Sequence, residues 1–291
     1  MTEFLNILIG GLLIGGIYSL ISVGMSLQYG VAKVMNIAHG EFLMFGAFIT
    51  FMLQQHGVNP LLCILIVAPL MFIAGFILYR TIFSTIRDRS PNPGVFEGNG
   101  LLAAFGLYFF FQSVGTQIWG STPTAYHYLT TNWTLAGADI FENRLVAAVF
   151  AVALGGLFYL YLNVTRSGKA IRAAAQDAST AGLMGVNINF VLALCFGFGA
   201  AMAGAAGSLY SVCYSINTAM GLNLTLLAIV VVTLGGLGSI PGSFIGGFIL
   251  GIIGTAVGTI NGSAYSALVT ASYYVIFIIL LLVRPKGIMG K

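Results

Sequence analysis

Residues 221–260 read GLNLTLLAIVVVTLGGLGSIPGSFIGGFILGIIGTAVGTI and carry no charged side chain. They belong to a longer uncharged stretch that extends from residue 178 to residue 283. A helix needs about 20 apolar residues to cross roughly 30 Å of hydrocarbon, so this stretch has room for about four spans. Its residues do not alternate between apolar and polar, as the strands of a membrane β-barrel do. The stretch therefore predicts α-helical membrane spans.

The composition of the whole chain excludes a soluble protein. Of its 291 residues, 58% are hydrophobic and only 6% are charged, and the mean hydropathy is +0.99. A soluble domain carries roughly 25% charged residues, so a soluble enzyme, a nucleic-acid-binding protein and a disordered linker are excluded. We predict an all-α fold, a polytopic transmembrane helical bundle of about 8–9 spans that forms one domain over residues 1–291. The predicted spans are 4–30, 42–56, 61–79, 99–118, 144–163, 189–213, 221–237, 242–260 and 265–283.

The positions of Lys and Arg predict the orientation of these spans. Most of these residues form three clusters: Arg80, Arg87 and Arg89; Arg166, Lys169 and Arg172; and Arg284, Lys286 and Lys291. Any two of the clusters are separated by an even number of predicted spans. Cytoplasmic loops are enriched in Lys and Arg, so all three clusters are expected in the cytoplasm. The loop 119–143 has no Lys or Arg and is expected outside, as is the N-terminus. Residues 1–30 lack the basic start of a signal peptide and are interpreted as a retained first helix.

Two apolar segments are interrupted by polar residues, Gly or Pro. The first break, residues 33–41, reads KVMNIAHGE, and the second break, residues 235–243, reads GGLGSIPGS. Non-helical backbone at membrane depth is tolerated only where it is buried in protein or lines a watery cavity, so paired breaks indicate a transport path. The predicted path residues are Asn36, His39, Gly40, Glu41, Gly235, Gly236, Gly238, Ser239, Pro241 and Gly242. Two alternatives stay open: both breaks are ordinary turns at the membrane surface, or Glu41 is solvated and paired with Lys33.

The loop 166–188, called the coupling segment below, is polar and rich in alanine. Its Ala content favours helix, and residues 169–184 are predicted to form a single helix of about four turns. The segment is too polar to cross a membrane. Small side chains allow close approach, and Arg172 and Asp177 can fix an orientation, so the helix is expected to dock into a groove of another protein.

The sequence offers no pattern for a metal or a nucleotide. Cys63, Cys195 and Cys213 all fall inside apolar spans without metal-ligand spacing, so no metal site is predicted. The chain contains no Gly-x4-Gly-Lys-Ser/Thr motif, and residues 236–243 lack the lysine. It is therefore not expected to bind ATP or to be an enzyme, and the energy for transport is expected to come from a partner.

Three segments carry a resemblance to a known family. The first comprises Tyr29-Gly30-Val31 and Asn36-Ile37-Ala38-His39-Gly40-Glu41-Phe42; the second comprises Arg172-Ala173, Gln176-Asp177 and Leu183-Met184-Gly185-Val186; the third comprises residues 235–242 with the ending Arg284-Pro285-Lys286-Gly287. In this order they resemble the LivH-type permease subunit of bacterial ABC importers for branched-chain amino acids. The sequence departs from the family at Ile37, where Phe is common, and at Ser179-Thr180, where acidic residues or Ala are common.

The resemblance implies a multi-pass subunit of the bacterial inner membrane with several partners. These would be a homologous second permease subunit, two cytoplasmic ATPase subunits that hold ATP and magnesium, a periplasmic substrate-binding protein and the surrounding lipid. It implies Leu, Ile, Val and other apolar amino acids as substrates. It also implies contact with the ATPases through Arg172, Gln176, Asp177, Leu183, Met184 and Gly185.

Other functions remain open at this point. A permease of the same family for urea, short amides or aromatic acids has the same features. A stand-alone secondary transporter or channel usually has ionisable residues inside its spans, and residues 178–283 contain no Asp, Glu, Lys or Arg. A third alternative, a protein with a purely structural role in the membrane, would leave the two breaks unexplained.

Overall fold

A computed structural model describes residues 2–135, 138–261, 266–284 and 286–290. Its helices are α1 Thr2–Ala32, α2 His39–Gln55, α3 Pro60–Leu78, α4 Ser84–Arg89, α5 Pro93–Trp119, α6 Glu142–Val164, α7 Arg166–Gln176, α8 Ala178–Leu183, α9 Ile188–Cys213, α10 Met220–Gly235, α11 Ile240–Asn261 and α12 Ser266–Val283. A π-helical turn, Tyr79–Phe83, joins α3 to α4. Within the described ranges six helices are long and apolar enough to cross a membrane, and α10 and α12 are shorter apolar helices. Helix α2, with 17 residues, is another short helix of the bundle. Together these helices confirm the predicted all-α polytopic bundle.

Helix α1 lies at the centre of the bundle and packs antiparallel to α11. Gly11 contacts Ile252, and Gly15 contacts Phe248, so closely that a Cβ at either glycine would overlap the α11 backbone. The Ser19 hydroxyl donates to the Phe244 carbonyl at 2.6 Å. Small residues one turn apart permit this approach in lipid, where close packing drives helix association.

Helix α9 forms the second packing centre, against α2 and α3. Gly46 of α2 approaches Gly204 of α9, and the Thr50 hydroxyl donates to Ser208 Oγ at 2.7 Å. Helix α3 begins at Pro60, and the π-helical turn extends the helical segment to Arg89. The helical segment Pro60–Arg89 is therefore longer than the predicted span 61–79.

Two local structures differ from the sequence-based expectation. The loop 119–143 contains an antiparallel pair of strands, β1 Asn132–Leu135 and β2 Ala138–Phe141, which was not predicted. Helix α5 begins at Pro93 rather than at residue 99, because the Asn92 side chain caps it by accepting from the Val95 N–H at 2.9 Å.

The three predicted basic clusters lie at one end of the bundle, called the basic end below. Arg87 donates to Asn189 Oδ1 at 2.7 Å at the start of α9. Arg172 and Gly238 line the same cavity, and Gly287 packs against Gly236. Lys291 lies outside the described residues. The enrichment of Lys and Arg in cytoplasmic loops predicts that the basic end faces the cytoplasm.

Candidate functional site

The first break folds back into the interior of the bundle. Helix α1 ends at Ala32, and Lys33 adopts a positive φ of 57° where the chain reverses. Six residues later His39 Nε2 lies 3.1 Å from the carbonyl oxygen of Ile21. Ile21 precedes Ala32 by eleven residues, or roughly 16 Å along the helix axis. Helix α2 therefore begins at membrane depth, and the alternative of a surface turn is wrong for this break.

Hydrogen bonds tie the first break to three helices. The Asn36 amide donates to Gln28 Oε1 of α1 at 3.4 Å, and the Gln28 amide donates to the Phe196 carbonyl of α9 at 3.3 Å. The Gly40 N–H donates to Thr225 Oγ1 of α10 at 2.8 Å. The Thr225 hydroxyl also donates to the Ile37 carbonyl at 3.1 Å. Side chains from α1 and α10 therefore hold the break, as non-helical backbone at membrane depth requires.

Two ionisable side chains of this break are buried without full pairing. Glu41 is 1% exposed and His39 is 0% exposed. Among the described residues, the Glu41 carboxylate oxygens and His39 Nδ1 have no hydrogen-bond partner. The Lys33 ammonium lies over the Tyr29 ring, 5.9 Å from its centroid. The alternative of a solvated Glu41 paired with Lys33 is therefore wrong, and the unpaired carboxylate is the strongest local indication of a functional role.

Glycines bring α2 and α10 into contact beside this carboxylate. A Cβ on Gly40 would overlap the Gly221 carbonyl oxygen and Thr225 Oγ1, and a Cβ on Gly221 would overlap Oε1 of Glu41. A larger residue at Gly40 would displace the α10 backbone, whereas a larger residue at Gly221 would displace the Glu41 side chain.

The second break occupies a different place, at the basic end. Helix α10 ends at Gly235 and α11 begins at Ile240, and the turn between them uses positive φ values at Gly236 (105°) and Gly238 (83°). Gly238 packs against Gly30 of α1. The structure therefore brings Asn36, His39, Gly40 and Glu41 together, whereas Gly235, Gly236, Gly238, Ser239, Pro241 and Gly242 form a separate turn.

The C-terminal segment covers this turn, which the sequence reasoning did not foresee. The Ile288 N–H donates to the Leu234 carbonyl at 2.9 Å, and the Met289 N–H donates to the Gly235 carbonyl at 3.0 Å. The carbonyls at the end of a helix have no partner within it, so these bonds complete the end of α10. The basic charge of the segment gave no sign of this contact.

A cavity of about 270 Å³ lies between α1, α10 and α12, near the start of α10. Its lining is aliphatic and aromatic with two smaller polar side chains: Tyr18, Asn223, Leu224, Leu227, Val230, Val269, Thr270, Tyr273 and Tyr274. The sequence reasoning also missed this cavity. The sequence did contain a signal for this cavity, namely polar residues such as Asn223 within otherwise apolar runs.

The coupling segment forms two helices, so the predicted single helix 169–184 is wrong. It breaks at Asp177, whose Oδ1 accepts from the N–H groups of Ser179 at 2.8 Å and Thr180 at 3.1 Å. Asp177 thereby caps α8 and ends α7. Hydrogen bonds from the Thr180 hydroxyl, the Thr180 N–H and the Ser179 N–H lower the pKa of Asp177.

The other predicted coupling residues lie on both sides of this cap. Arg172 donates to Asn163 Oδ1 of α6 at 2.8 Å, and Gln176 lines a cavity with the second break. Leu183 and Met184 are 88% and 81% exposed at the end of α8, which Gly185 follows with a φ of 87°. Two large apolar side chains are thus exposed side by side at this end of α8.

A family model described as branched-chain amino acid transport system, permease component, matches residues 7–284. The match includes both breaks and the whole coupling segment. The chain belongs to this family.

Individual relatives of this permease align over nearly their full length. BraD of Pseudomonas aeruginosa, a high-affinity branched-chain amino acid transport system permease protein, is 31% identical over 306 residues, covering 99% of this chain and 96% of its own. LivH of Salmonella typhimurium, with the same description, is 31% identical over 305 residues with the same coverage. A probable LivH of Methanocaldococcus jannaschii is 28% identical over 294 residues, covering 98% and 92%.

The solved structure of PsaBC from Streptococcus pneumoniae in complex with Fab gives a TM-score of 0.46 at 15% identity over 98% of this chain and 93% of that chain, a likeness too weak to carry an argument.

These matches confirm the resemblance to LivH-type permeases. The permease is accordingly a multi-pass protein of the inner membrane and a permease component of the ABC transporter class. Its relatives are transport subunits rather than enzymes.

Proposed function

We propose that this permease forms the membrane path of an ATP-driven importer for branched-chain and other apolar amino acids. It would act with a homologous second permease subunit, two cytoplasmic ATPase subunits and a periplasmic substrate-binding protein. ATP and magnesium would be bound by the ATPases and not by this chain. The observation that carries the proposal is that the coupling segment lines cavities together with residues of both breaks.

Two cavities at the basic end support this coupling. Arg172 and Gln176 line one of them together with Gly238 and Pro241 of the second break. Ala178 lines the other together with Lys33, where the first break begins. Movement of the coupling segment by an ATPase would therefore displace both breaks at once. Leu183 and Met184, followed by Gly185, would enter the ATPase surface, and the Asp177 cap would keep α8 rigid.

The first break would line the substrate path inside the bundle. Asn36 and His39 offer polar side chains at membrane depth beside Gly40, and Glu41 offers a buried carboxyl group that would bind the ammonium group of an amino acid as a carboxylate. The second break, from Gly235 to Gly242, would act as the gate at the cytoplasmic end, where positive φ values allow a tight turn between α10 and α11.

The cavity between α1, α10 and α12 supports an apolar substrate. Leu224, Leu227 and Val230 suit an aliphatic side chain, and the polar groups of Asn223 and Thr270 suit the zwitterionic part of an amino acid. Glu41 contacts Gly221 at the start of α10, and the cavity lies alongside residues 223–230 of the same helix, so the carboxyl group and the cavity occupy neighbouring positions along α10.

The experiment is ATP-dependent uptake of labelled leucine into proteoliposomes that contain the complete importer and its binding protein. We expect excess unlabelled leucine, isoleucine and valine to abolish uptake, and urea, acetamide and benzoate to leave it unchanged. Uptake of urea, an amide or an aromatic acid in place of leucine would overturn the substrate assignment.

A further inference from the structure

A polar cavity and an apolar groove adjoin one another at the basic end, between α6 and α11. The cavity has a volume of about 310 Å³, and the polar side chains that line it include Asn163, Arg172, Gln176 and Ser239. The groove has a volume of about 260 Å³. Tyr159, Ile240 and Pro241 line both, so the two form one continuous depression.

The groove is suited to part of an acyl chain. Its lining is apolar: Val23, Gly155, Gly156, Tyr159, Ile240, Pro241, Phe244 and Ile245. A Cβ on Gly156 would meet nothing within 4 Å, so the groove is open beside this residue. The groove follows α6 from Gly155 to Tyr159, and the polar cavity continues along the same helix to Asn163, so the whole depression extends roughly 12 Å toward the basic end.

The cavity at the end of the groove has a fixed cationic group. Arg172 donates one hydrogen bond to Asn163 Oδ1 at 2.8 Å, and the Asn163 amide donates to the Tyr159 carbonyl at 2.9 Å. A guanidinium has five N–H donors, so others can bind phosphate oxygens. The residues that line this cavity in the described chain include no Asp or Glu. Arg166 and Lys169 on the same helix add positive charge.

We propose that this depression binds one anionic phospholipid of the cytoplasmic leaflet. One acyl chain lies in the groove along α6, and the phosphate is bound by Arg172 with hydrogen bonds from Ser239 and Gln176. A free phosphate would use only the polar half, and a zwitterionic lipid would bring a second positive charge near Arg172. Basic pockets between membrane helices on the cytoplasmic side are suited to such headgroups. The lipid would connect α7 to α6 and α11, independently of which solute the permease carries.

The test is native mass spectrometry of the complete transporter, titrated with phosphatidylglycerol, phosphatidylcholine or soluble glycerol phosphate. We expect one tightly bound phosphatidylglycerol per permease, weaker phosphatidylcholine binding and no glycerol phosphate binding. Arg172→Gln removes the charge-assisted hydrogen bonds and should weaken phosphatidylglycerol binding about tenfold. Gly156→Leu fills the groove, and it should have an effect of similar size.

Two variants serve as matched controls. Gly106→Leu places a side chain on the exposed face of α5, where a Cβ also meets nothing within 4 Å. Arg89→Gln removes an exposed charge at the same end of the bundle. Both should bind phosphatidylglycerol like the unmodified protein. Equal binding of phosphatidylglycerol and phosphatidylcholine would overturn the proposal. It would also be overturned if glycerol phosphate bound as tightly as lipid and only Arg172→Gln weakened binding.

Discussion

Glu41 on α2 and Gly221 on α10 meet so closely that a Cβ on Gly221 would overlap Oε1 of Glu41. The carboxylate is buried, and neither of its oxygens has a hydrogen-bond partner among the described residues. A carboxyl group buried at a helix contact without a hydrogen-bond partner has an unfavourable desolvation energy, which is far larger when the group is ionised than when it is neutral. We interpret this contact as the centre of the substrate path, where the first break meets α10.

The contact predicts a specific effect of Gly221→Ala. The added methyl group has no space beside Glu41, so we expect a destabilisation of about 1–3 kcal/mol, measured as a lower Tm of the purified complex. Glu41→Ala in the same chain should restore most of the loss, because it removes the overlapping oxygen. The control is Gly106→Ala, in open space on α5. An unchanged Tm for Gly221→Ala would contradict this expectation and show that the Glu41 side chain moves away from α10 without a loss of stability.

Neutralising Glu41 separates a path residue from a structural one. Glu41→Gln keeps the shape and removes the charge, so we expect leucine uptake to fall at least about tenfold through loss of one charge-assisted hydrogen bond. Thermal stability should stay equal or rise, because a buried unpaired charge disfavours folding. Glu3→Gln, at an exposed position in the first turn of α1, should change neither quantity. Normal uptake with a lowered Tm would assign Glu41 a structural role instead.

Asp177 is expected to act as a helix cap in coupling. Asp177→Ala removes the acceptor for the Ser179 and Thr180 N–H groups, whereas Asp177→Asn retains a capping oxygen. We expect the stimulation of ATPase activity by loaded binding protein to fall in the Ala variant and to persist in the Asn variant. Equal loss in both variants would instead indicate that the partner recognises the charge.

The pH dependence of this cap follows from the pKa of Asp177. Hydrogen bonds from Thr180 and Ser179 lower that pKa, so the contribution of the cap to stability is complete above the unfolded value of about 4. It is lost only as the pH falls through the lowered folded pKa. The Asp177→Ala defect, measured by ATPase stimulation, should therefore be constant between about pH 5 and 8. A defect that disappears within this range would contradict the assignment.

Leu183 and Met184 are predicted to anchor the ATPase subunits. Replacing both with Ser should leave the Tm of the permease unchanged, because these side chains are largely exposed, and should reduce co-purification of the ATPases. Leu237→Ser is a matched control, since Leu237 is also exposed at the basic end. Full recovery of ATPases with the double variant would place their contact elsewhere.

Much of the architecture was predictable because lipid imposes simple rules on sequence. Uncharged apolar runs specify spans, and the clusters around Arg80, Arg166 and Arg284 specify the cytoplasmic end. The two interruptions were also visible as polar or Gly-Pro segments. Residues of these types interrupt an apolar run whatever they contact in the fold. The sequence pattern alone was therefore sufficient to locate both interruptions.

The depth of each interruption was not predictable from the sequence. Residues 33–38 turn back along α1 because Asn36, Gly40 and Ile37 find partners on Gln28 and Thr225, which are distant in sequence or in a different helix. The second break stays at the basic end because Gly238 packs on Gly30 and the C-terminal segment completes α10. The break at Asp177 had a local signal, an Asp followed by Ser and Thr, but the surrounding Ala content outweighed it.

The most direct test of the account is concentrative uptake of leucine by proteoliposomes that contain this permease alone or with its second permease subunit, ATPases and binding protein. We predict accumulation against a gradient only in the complete assembly and only with ATP inside the compartment that faces the basic end. Accumulation by the solitary permease, driven by an ion gradient without ATP, would contradict it.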